Sequence, residues 1–245
     1  SISFGSIAEF FGSASKYIAS VFDTSNNKVV FGYEAYSGGS HLYGQVGTVS
    51  STSISFGTAT QLRSGSGVKY VGAAFDSNRN KIVFAYEDVA ESQRGYATVA
   101  TVSGTSVKGH NSKTSTGVLY DNSNTEYHVA TFDSNFNKVV VAYKDNGNSG
   151  YGTFVVGSID ASGDITFETS VVYTSSSVQH SLTSDAIVFD STNNRVVIHF
   201  EDAINESGVG NGKYVVITVA GSSSNLSAST SEGYIGIASG GTYAD

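Results

Sequence analysis

The sequence contains no cysteine among its 245 residues, so neither a disulfide framework nor a thiolate metal site is possible. Basic residues are few, because 13 Lys and Arg stand against 21 Asp and Glu and give a formal net charge of -8. This balance disfavours nucleic acid and anionic membrane surfaces as partners. No apolar run approaches the roughly 20 residues that span a bilayer. The sequence therefore predicts neither nucleic-acid binding nor membrane insertion.

Methionine is also missing, although a translated chain starts with one. We therefore expect the sequence to be part of a longer chain or assembly. Charged residues make up only 14%, below the roughly 25% of average globular chains. Ser, Thr, Asn and Gly supply the polarity instead, so solubility depends on neutral hydroxyl and amide groups.

The sequence contains four copies of one motif. Each copy reads Phe-Asp, three turn residues, Asn, a basic residue and two β-branched residues, and the copies begin at Phe22, Phe75, Phe132 and Phe189. The intervals between them are 53, 57 and 57 residues, which is typical of a repeat architecture. One such unit cannot bury its own apolar face, so the modules must pack on one another.

Asp and Asn dominate the turn inside each motif, because their side chains bond to nearby backbone and tolerate left-handed conformation. The predicted turn residues are Asp23, Asn27, Asp76, Asn80, Asp133, Asn137, Asp190 and Asn194. The same aspartates are candidate Ca²⁺ ligands, but Ca²⁺ takes six to eight oxygens, usually from several carboxylates. Each turn offers one Asp followed by a basic residue, so a structural turn is favoured. No other metal-ligand spacing occurs.

Each module is predicted to form four short strands without helical periodicity. Residues Ser1–Gly5 repeat Ser53–Gly57 letter for letter, whereas no such segment follows Val219. We therefore predict an all-β, four-bladed β-propeller whose N-terminal strand completes the last blade. A larger, truncated propeller or an open β-repeat array are the alternatives, because Glu232–Ala238 resembles the start of a further module. The predicted divisions are a closing strand at 1–14, repeats at 15–67, 68–125, 126–176 and 177–220, and a tail or further module at 221–245.

The whole pattern resembles tandem repeats in large proteins of marine bacteria and phages, many of which look like tail-fibre or adhesin components. The best match is in Asn137–Asp145 and Asn148–Thr153. The resemblance implies propeller-like repeats on a virion or cell surface. It implies no reaction and brings no catalytic residues.

A second set of residues recurs where the second strand of each module ends. The set is Tyr33, Glu34, Tyr86, Glu87, Asp88, Tyr143, Asp145, Glu201 and Asp202, followed after a loop by Tyr43, Tyr96, Tyr151 and Tyr214. Aromatic faces beside carboxylates are the groups with which a sugar site stacks on rings and accepts from hydroxyls. Loops on a rigid scaffold are also where function concentrates. The alternative is that the aromatics fill the space between blades while the acids only solvate the rim.

We therefore expect a non-enzymatic, extracellular or virion-surface module for attachment and structure. Its partner would be carbohydrate or a cell-surface or virion protein. One alternative is a polysaccharide-degrading enzyme on the same frame, which would need two converging carboxylates. Another is a purely structural subunit of a fibre or filament. The sequence offers no catalytic constellation, since nucleophile elbows and phosphate loops are both missing.

Overall fold

The computed structural model describes residues 2, 4–37, 39–65, 67–110, 117–179, 186–202, 211–219 and 233–234. These residues form antiparallel β-strands joined by tight turns, with one short 3-10 helix at Asn146–Asn148. The prediction of an all-β chain is confirmed.

The strands follow the four repeats, which are called modules 1 to 4 below. Module 1 contains β1 (Ser15–Asp23), β2 (Lys28–Ala35), β3 (His41–Ser50), β4 (Ser53–Phe56) and β5 (Thr60–Gln61). Module 2 contains β6 (Val68–Asp76), β7 (Lys81–Asp88), β8 (Arg94–Ser103) and β9 (Ser106–Gly109). Module 3 contains β10 (Val118–Asp133), β11 (Lys138–Asp145), β12 (Tyr151–Ile159) and β13 (Ile165–Phe167). Module 4 contains β14 (Val171–Gln179), β15 (Ile187–Asp190), β16 (Arg195–Asp202), β17 (Asn211–Ile217) and β18 (Gly233–Tyr234).

The Phe-Asp motif forms the first hairpin of every module. Its Asp pairs across the hairpin with the basic residue that follows the turn, as in Asp23 with Lys28 and Asp190 with Arg195. In module 1 the Lys28 amino group then donates to the Thr48 hydroxyl at 2.9 Å. Modules 2 and 3 repeat this contact between the second and third strands, so the basic residue ties three strands together.

The position of the fourth strand is divided between two segments. In module 1, β4 pairs with the second half of β3, whereas β5 pairs with its first half. In module 2 these places are taken by β9 and by the first half of β10. In module 3 they are taken by β13 and the first half of β14. Both β10 and β14 then continue into the next module, crossing the boundaries predicted at residues 125 and 176.

The four sheets pack face to face in chain order. Because strand side chains alternate between faces, β7 sends Ile82 and Phe84 into a core shared with module 1. The intervening Val83 enters a core shared with module 3. Strand β11 divides its side chains in the same way between modules 2 and 4. Each core therefore lies between two modules, as expected for units that cannot bury an apolar face alone.

The predicted pairing of Ser1–Gly5 with the last module is not present among the described residues of this segment, which form no strand. The N-terminal arm lies on module 1 instead. Phe10 stacks on Phe31 with ring centroids 5.5 Å apart, and Phe11 lies 5.2 Å from the Tyr33 ring. Closure of the ring by this arm stays a prediction.

Candidate functional site

The aspartate of each Phe-Asp motif closes its own turn. Asp23 Oδ1 accepts from the backbone N–H groups of Ser25 at 2.9 Å and Asn26 at 3.0 Å. The aspartates of the other three modules accept from the same two positions of their turns. The asparagine that ends each turn has φ between 52° and 56°, the left-handed region that Asn tolerates. These are the hydrogen bonds of an Asx-type turn.

The tyrosines at the ends of the second strands are buried between sheets. Tyr33, Tyr86 and Tyr143 have no solvent exposure. Their hydroxyls bond inside the protein, to Gln45 at 3.1 Å, to Thr98 at 2.9 Å and to Asp121 at 2.6 Å, respectively. A buried ring has no free face for a ligand. In the fourth module the corresponding residue is Phe200, which contacts the Tyr173 ring at 5.2 Å.

The four third-strand tyrosines do not occupy one structural position. Tyr43 and Tyr96 lie directly opposite Tyr33 and Tyr86. The other two are placed differently, because Tyr151 pairs with Asp145 and Tyr214 pairs with His199. Recurrence of a tyrosine after the loop therefore does not give equal register, because these tyrosines follow the second-strand aromatic residue by 10, 10, 8 and 14 positions.

The residues next to the buried aromatic side chains lie opposite the first strand of their module, and in modules 2 and 3 they form cross-strand charge pairs with it. Glu87 accepts from Lys69 at 3.3 Å. In module 3 the signs are reversed, and Lys144 lies 3.1 Å from Glu126. In module 1, Glu34 pairs in register with Lys16. Module 4 places Gln179 opposite Glu201. This reversal explains why Lys144 stands where the other modules carry glutamate.

The second set of predicted carboxylates serves the loops. Asp88 forms a buried ion pair with Arg63, and burial raises the pKa of Asp88 above its ordinary value although Arg63 lowers it. Asp145 accepts from the Asn148 N–H at 3.1 Å and the Ser123 hydroxyl at 2.6 Å. Asp202 pairs in register with Asn211 at the start of β17. The described side-chain contacts of Asp88 and Asp145 are therefore all with other groups of the protein.

The first strands carry a β-bulge that the sequence pattern does not predict. Their pairing with the second strand is interrupted after the charged position, between Lys16 and Ala19 in module 1. Modules 2 and 3 repeat this β-bulge. At each bulge a tyrosine takes a left-handed backbone conformation, with φ values of 49° for Tyr17, 51° for Tyr70 and 56° for Tyr127. Such a conformation costs an L-residue about 1–2 kcal/mol.

These three tyrosines, called the tyrosine ladder below, bring three modules together at one place. The Tyr17 and Tyr70 ring centroids are 5.0 Å apart, and those of Tyr70 and Tyr127 are 4.7 Å apart. Lys144 Nζ lies 5.7 Å from the Tyr127 ring centroid. All three rings are partly exposed. The ladder therefore presents aromatic surface beside the charge pairs.

Burial shapes the protonation of this cluster. It raises the pKa of Glu87 to about 7, against the opposing effect of Lys69, and the nearby Glu126 raises it further. Burial also raises the pKa of Tyr17 and Tyr70 above the ordinary value. At neutral pH the Tyr17 and Tyr70 phenols therefore keep their protons and can donate hydrogen bonds, whereas Glu87 titrates.

At the other end of the first strands lies an open cavity of 490 Å³, lined by residues from all four modules. It is bordered by the phenylalanine of each motif, namely Phe22, Phe75, Phe132 and Phe189. The four first strands therefore face a common space next to their turns, and in modules 1 to 3 the ladder tyrosine lies five residues before the phenylalanine that borders it.

A sequence signal for the ladder existed. In modules 1 to 3, a charged residue and a tyrosine precede the motif phenylalanine by six and five positions, as in Lys16, Tyr17 and Phe22. In module 4 the related residue is His180, nine positions before Phe189 and outside the described residues. The bulge could not be read from spacing, because φ is not visible in a pattern of residue types.

Over the described ranges, no group of three or more His, Asp or Glu side chains is placed to hold a metal ion. The same ranges contain no helix long and apolar enough to cross a membrane. A comparison with protein-family models finds no match to this chain. A comparison with curated proteins also finds no match.

Proposed function

We propose that this chain is a non-enzymatic attachment module of an extracellular or virion surface, and that it binds polysaccharide at the tyrosine ladder. The main observation behind this proposal is the set of three tyrosines with left-handed backbone, which three separate modules bring to one place. Strained backbone at matching positions concentrates at ligand clamps, where the surrounding structure must compensate for it. The acidic surface and the neutral polar composition are in keeping with this role.

The ladder offers the chemistry that a sugar polymer needs. Partly exposed phenol rings supply flat apolar faces, and their protonated hydroxyls donate hydrogen bonds. Lys69 and Lys144 supply further donors next to the rings, already paired with Glu87 and Glu126. Three rings from three modules form an extended surface, which suits a polymer better than a small molecule.

We further propose that the modules are blades of a four-bladed propeller. Two observations support this arrangement: the sheets pack face to face in chain order, and the first strands of all four modules line one cavity. A propeller places its innermost strands around such an axis. A larger ring is the alternative, and it is favoured by β18, which pairs with Lys213 and Tyr214 as β5 pairs with Tyr43 and Gly44.

Hydrolysis is less well supported than binding. Glu87 has the raised pKa of a general acid and lies near enough to Glu126 to feel its charge. Its side chain is only 1% exposed, however, and each of the two carboxylates is paired with a lysine. An acid-base pair must reach the glycosidic bond with one carboxylate free to act.

An array of neutral and acidic polysaccharides tests the attachment role. We expect the wild-type chain to bind a subset of them and the triple variant Tyr17→Asn, Tyr70→Asn, Tyr127→Asn to lose that binding. Asparagine is chosen because it tolerates the left-handed backbone, so the rings are removed with little added strain. Phe136→Asn is the control, since this exposed turn residue lies away from the ladder. Failure of folded wild-type protein to bind across the panel would leave only a scaffold role.

A further inference from the structure

The open cavity between the first strands, called the first-strand cavity below, is a second place where the four modules meet. Its volume of 490 Å³ lies within the roughly 300–1,000 Å³ of small-molecule sites. The motif phenylalanine of every module lines it, whereas none of the ladder tyrosines borders it. The cavity therefore has the size of a binding site and is separate from the tyrosine ladder.

Hydroxyl groups supply the polar side chains of this lining. The residue after the motif aspartate is Thr24, Ser77 or Ser134 in modules 1 to 3. All three residues are exposed, and all three line the cavity. Ser20 and Thr131 add hydroxyls from the first strands. Because a hydroxyl both donates and accepts hydrogen bonds, this lining can pair with the hydroxyls of a ligand in either sense.

Apolar surface lies beside these hydroxyls. Phe22 is 50% exposed at the edge of module 1 that lines the cavity. Ala73, Ala130 and Ile187 contribute aliphatic surface from the other three modules. Small-molecule sites combine apolar walls with a small number of polar groups in this way. The lining therefore suits a molecule that carries both hydroxyl groups and an apolar face.

The charged side chains of the same turns are engaged elsewhere. Asp23 is buried and accepts hydrogen bonds from the backbone of its own turn. The Lys28 amino group donates to the Thr48 hydroxyl on β3 at 2.9 Å. Lys81 and Lys138 make the same contact in modules 2 and 3. Among the described residues, no charged side chain lines the cavity. An ion bound there would lose hydration without gaining an opposite charge, so a neutral ligand is favoured.

We propose that the first-strand cavity is a second binding site, which takes a small neutral sugar. A sugar ring carries hydroxyl groups around a face of C–H groups, and the serine and threonine hydroxyls and the Phe22 ring complement these two parts. The proposal goes beyond polysaccharide binding at the ladder, because different residues carry it. The four-bladed arrangement proposed above places this cavity on its axis.

Titration of the isotope-labelled chain with glucose, galactose and mannose, followed by NMR, tests the site. We expect at least one of these hexoses to shift the amide signals of Thr24, Ser77 and Ser134 and to leave those of the ladder tyrosines in place. The acidic counterpart of that hexose, with a carboxylate in place of the terminal CH₂OH group, should bind at least tenfold more weakly. No shift with any of the three hexoses would overturn the proposal, and so would equal binding of the acidic counterpart.

Two variants locate the sugar in the cavity. Removing two hydroxyls with Ser77→Ala and Ser134→Ala together should weaken binding at least tenfold. Ser191→Ala is the matched control, because Ser191 holds the same place in the turn of module 4 and does not border the cavity. An equal loss of binding in this control would overturn the proposal.

The second variant, Ser20→Phe, fills the cavity from an exposed strand position and should abolish binding. Its control is Ser50→Phe, at an exposed position of β3 that does not border the cavity. Thermal unfolding shows whether each variant keeps the fold. Unchanged hexose binding in folded Ser20→Phe would overturn the proposal.

The triple ladder variant separates this site from the proposed function. It should keep the wild-type affinity for the hexose while it loses polysaccharide binding. Loss of hexose binding in that variant would place the sugar at the ladder and overturn the cavity site. Polysaccharide binding by a wild-type chain that binds none of the three hexoses would also overturn the cavity site, but it would leave the proposed function standing.

Discussion

The left-handed conformation of Tyr70 predicts that a Gly variant is more stable than an Ala variant at this position, which reverses the usual order. In an ordinary strand, a protein with Gly is less stable than one with Ala by about 0.5–1 kcal/mol, because Gly loses more backbone entropy on folding. At φ 51° the Cβ of Ala meets the strain of the left-handed region, which costs about 1–2 kcal/mol. Gly escapes this strain. Tyr70→Gly should therefore be more stable than Tyr70→Ala by about 0.5–1 kcal/mol.

The comparison removes the same ring in both variants, so the lost stacking against Tyr17 and Tyr127 cancels. Lys108 is the control, because it is exposed in β9 and does not have positive φ. There the ordinary order should hold, with the Ala variant more stable than the Gly variant. Urea unfolding of the four variants measures the differences, provided that the m-values agree. The same order at both positions would show that Tyr70 is not strained and that the bulge needs another explanation.

Three further predictions concern packing and charge. Gly32→Ala should destabilise the protein by about 1–3 kcal/mol, because the added Cβ would overlap the buried Phe84 ring. The control Gly212→Ala has open space around its Cβ and should change stability by less than about 0.5 kcal/mol. Equal unfolding midpoints for the two variants would contradict this. Lys69→Glu should lower the stability of the fold by placing two carboxylates opposite each other. Adding Glu87→Lys should restore that stability, since module 3 already holds the inverted pair of Glu126 and Lys144. A double variant no more stable than the single one in a denaturant titration would show that the two orientations of the pair are not equivalent. Because the pKa of Glu87 is raised to about 7 in the folded state, its contribution to stability is present below about pH 4.5 and is lost as the pH rises towards 7. Thermal unfolding between pH 4 and 8 should therefore show a smaller loss in Glu87→Gln than in the wild type, and parallel curves would argue against the shift.

The repeat and the strand order could be predicted because they depend on patterns that are visible in one dimension. The Phe-Asp pairs fix the first hairpin, and the β-branched runs after Lys28 and Lys81 predict second strands where β2 and β7 lie. The short fourth strands predicted for each module correspond in modules 2 and 3 to β9 and β13. What the pattern did not show is that β10 and β14 are shared between modules, because this depends on which sheet edge is open.

Only part of the candidate site could be predicted from the sequence, for a similar reason. Glu87 was found because it recurs beside a tyrosine, but its partner Lys69 lies on another strand, and cross-strand pairing follows register rather than sequence spacing. The aromatic residues singled out by recurrence, such as Tyr86, are the buried ones. Those that gather at the surface, such as Tyr70, were overlooked because only the β-bulge brings them together.

The most direct test of the attachment account is the affinity of one polysaccharide, chosen from the array, for single ladder variants. Calorimetric titration should show about tenfold weaker binding for Tyr70→Asn, the central ring, than for the wild type, which corresponds to about 1.4 kcal/mol. Phe136→Asn should bind as the wild type does. Unchanged affinity in Tyr70→Asn and Tyr127→Asn, with the fold intact by circular dichroism, would contradict binding at the ladder.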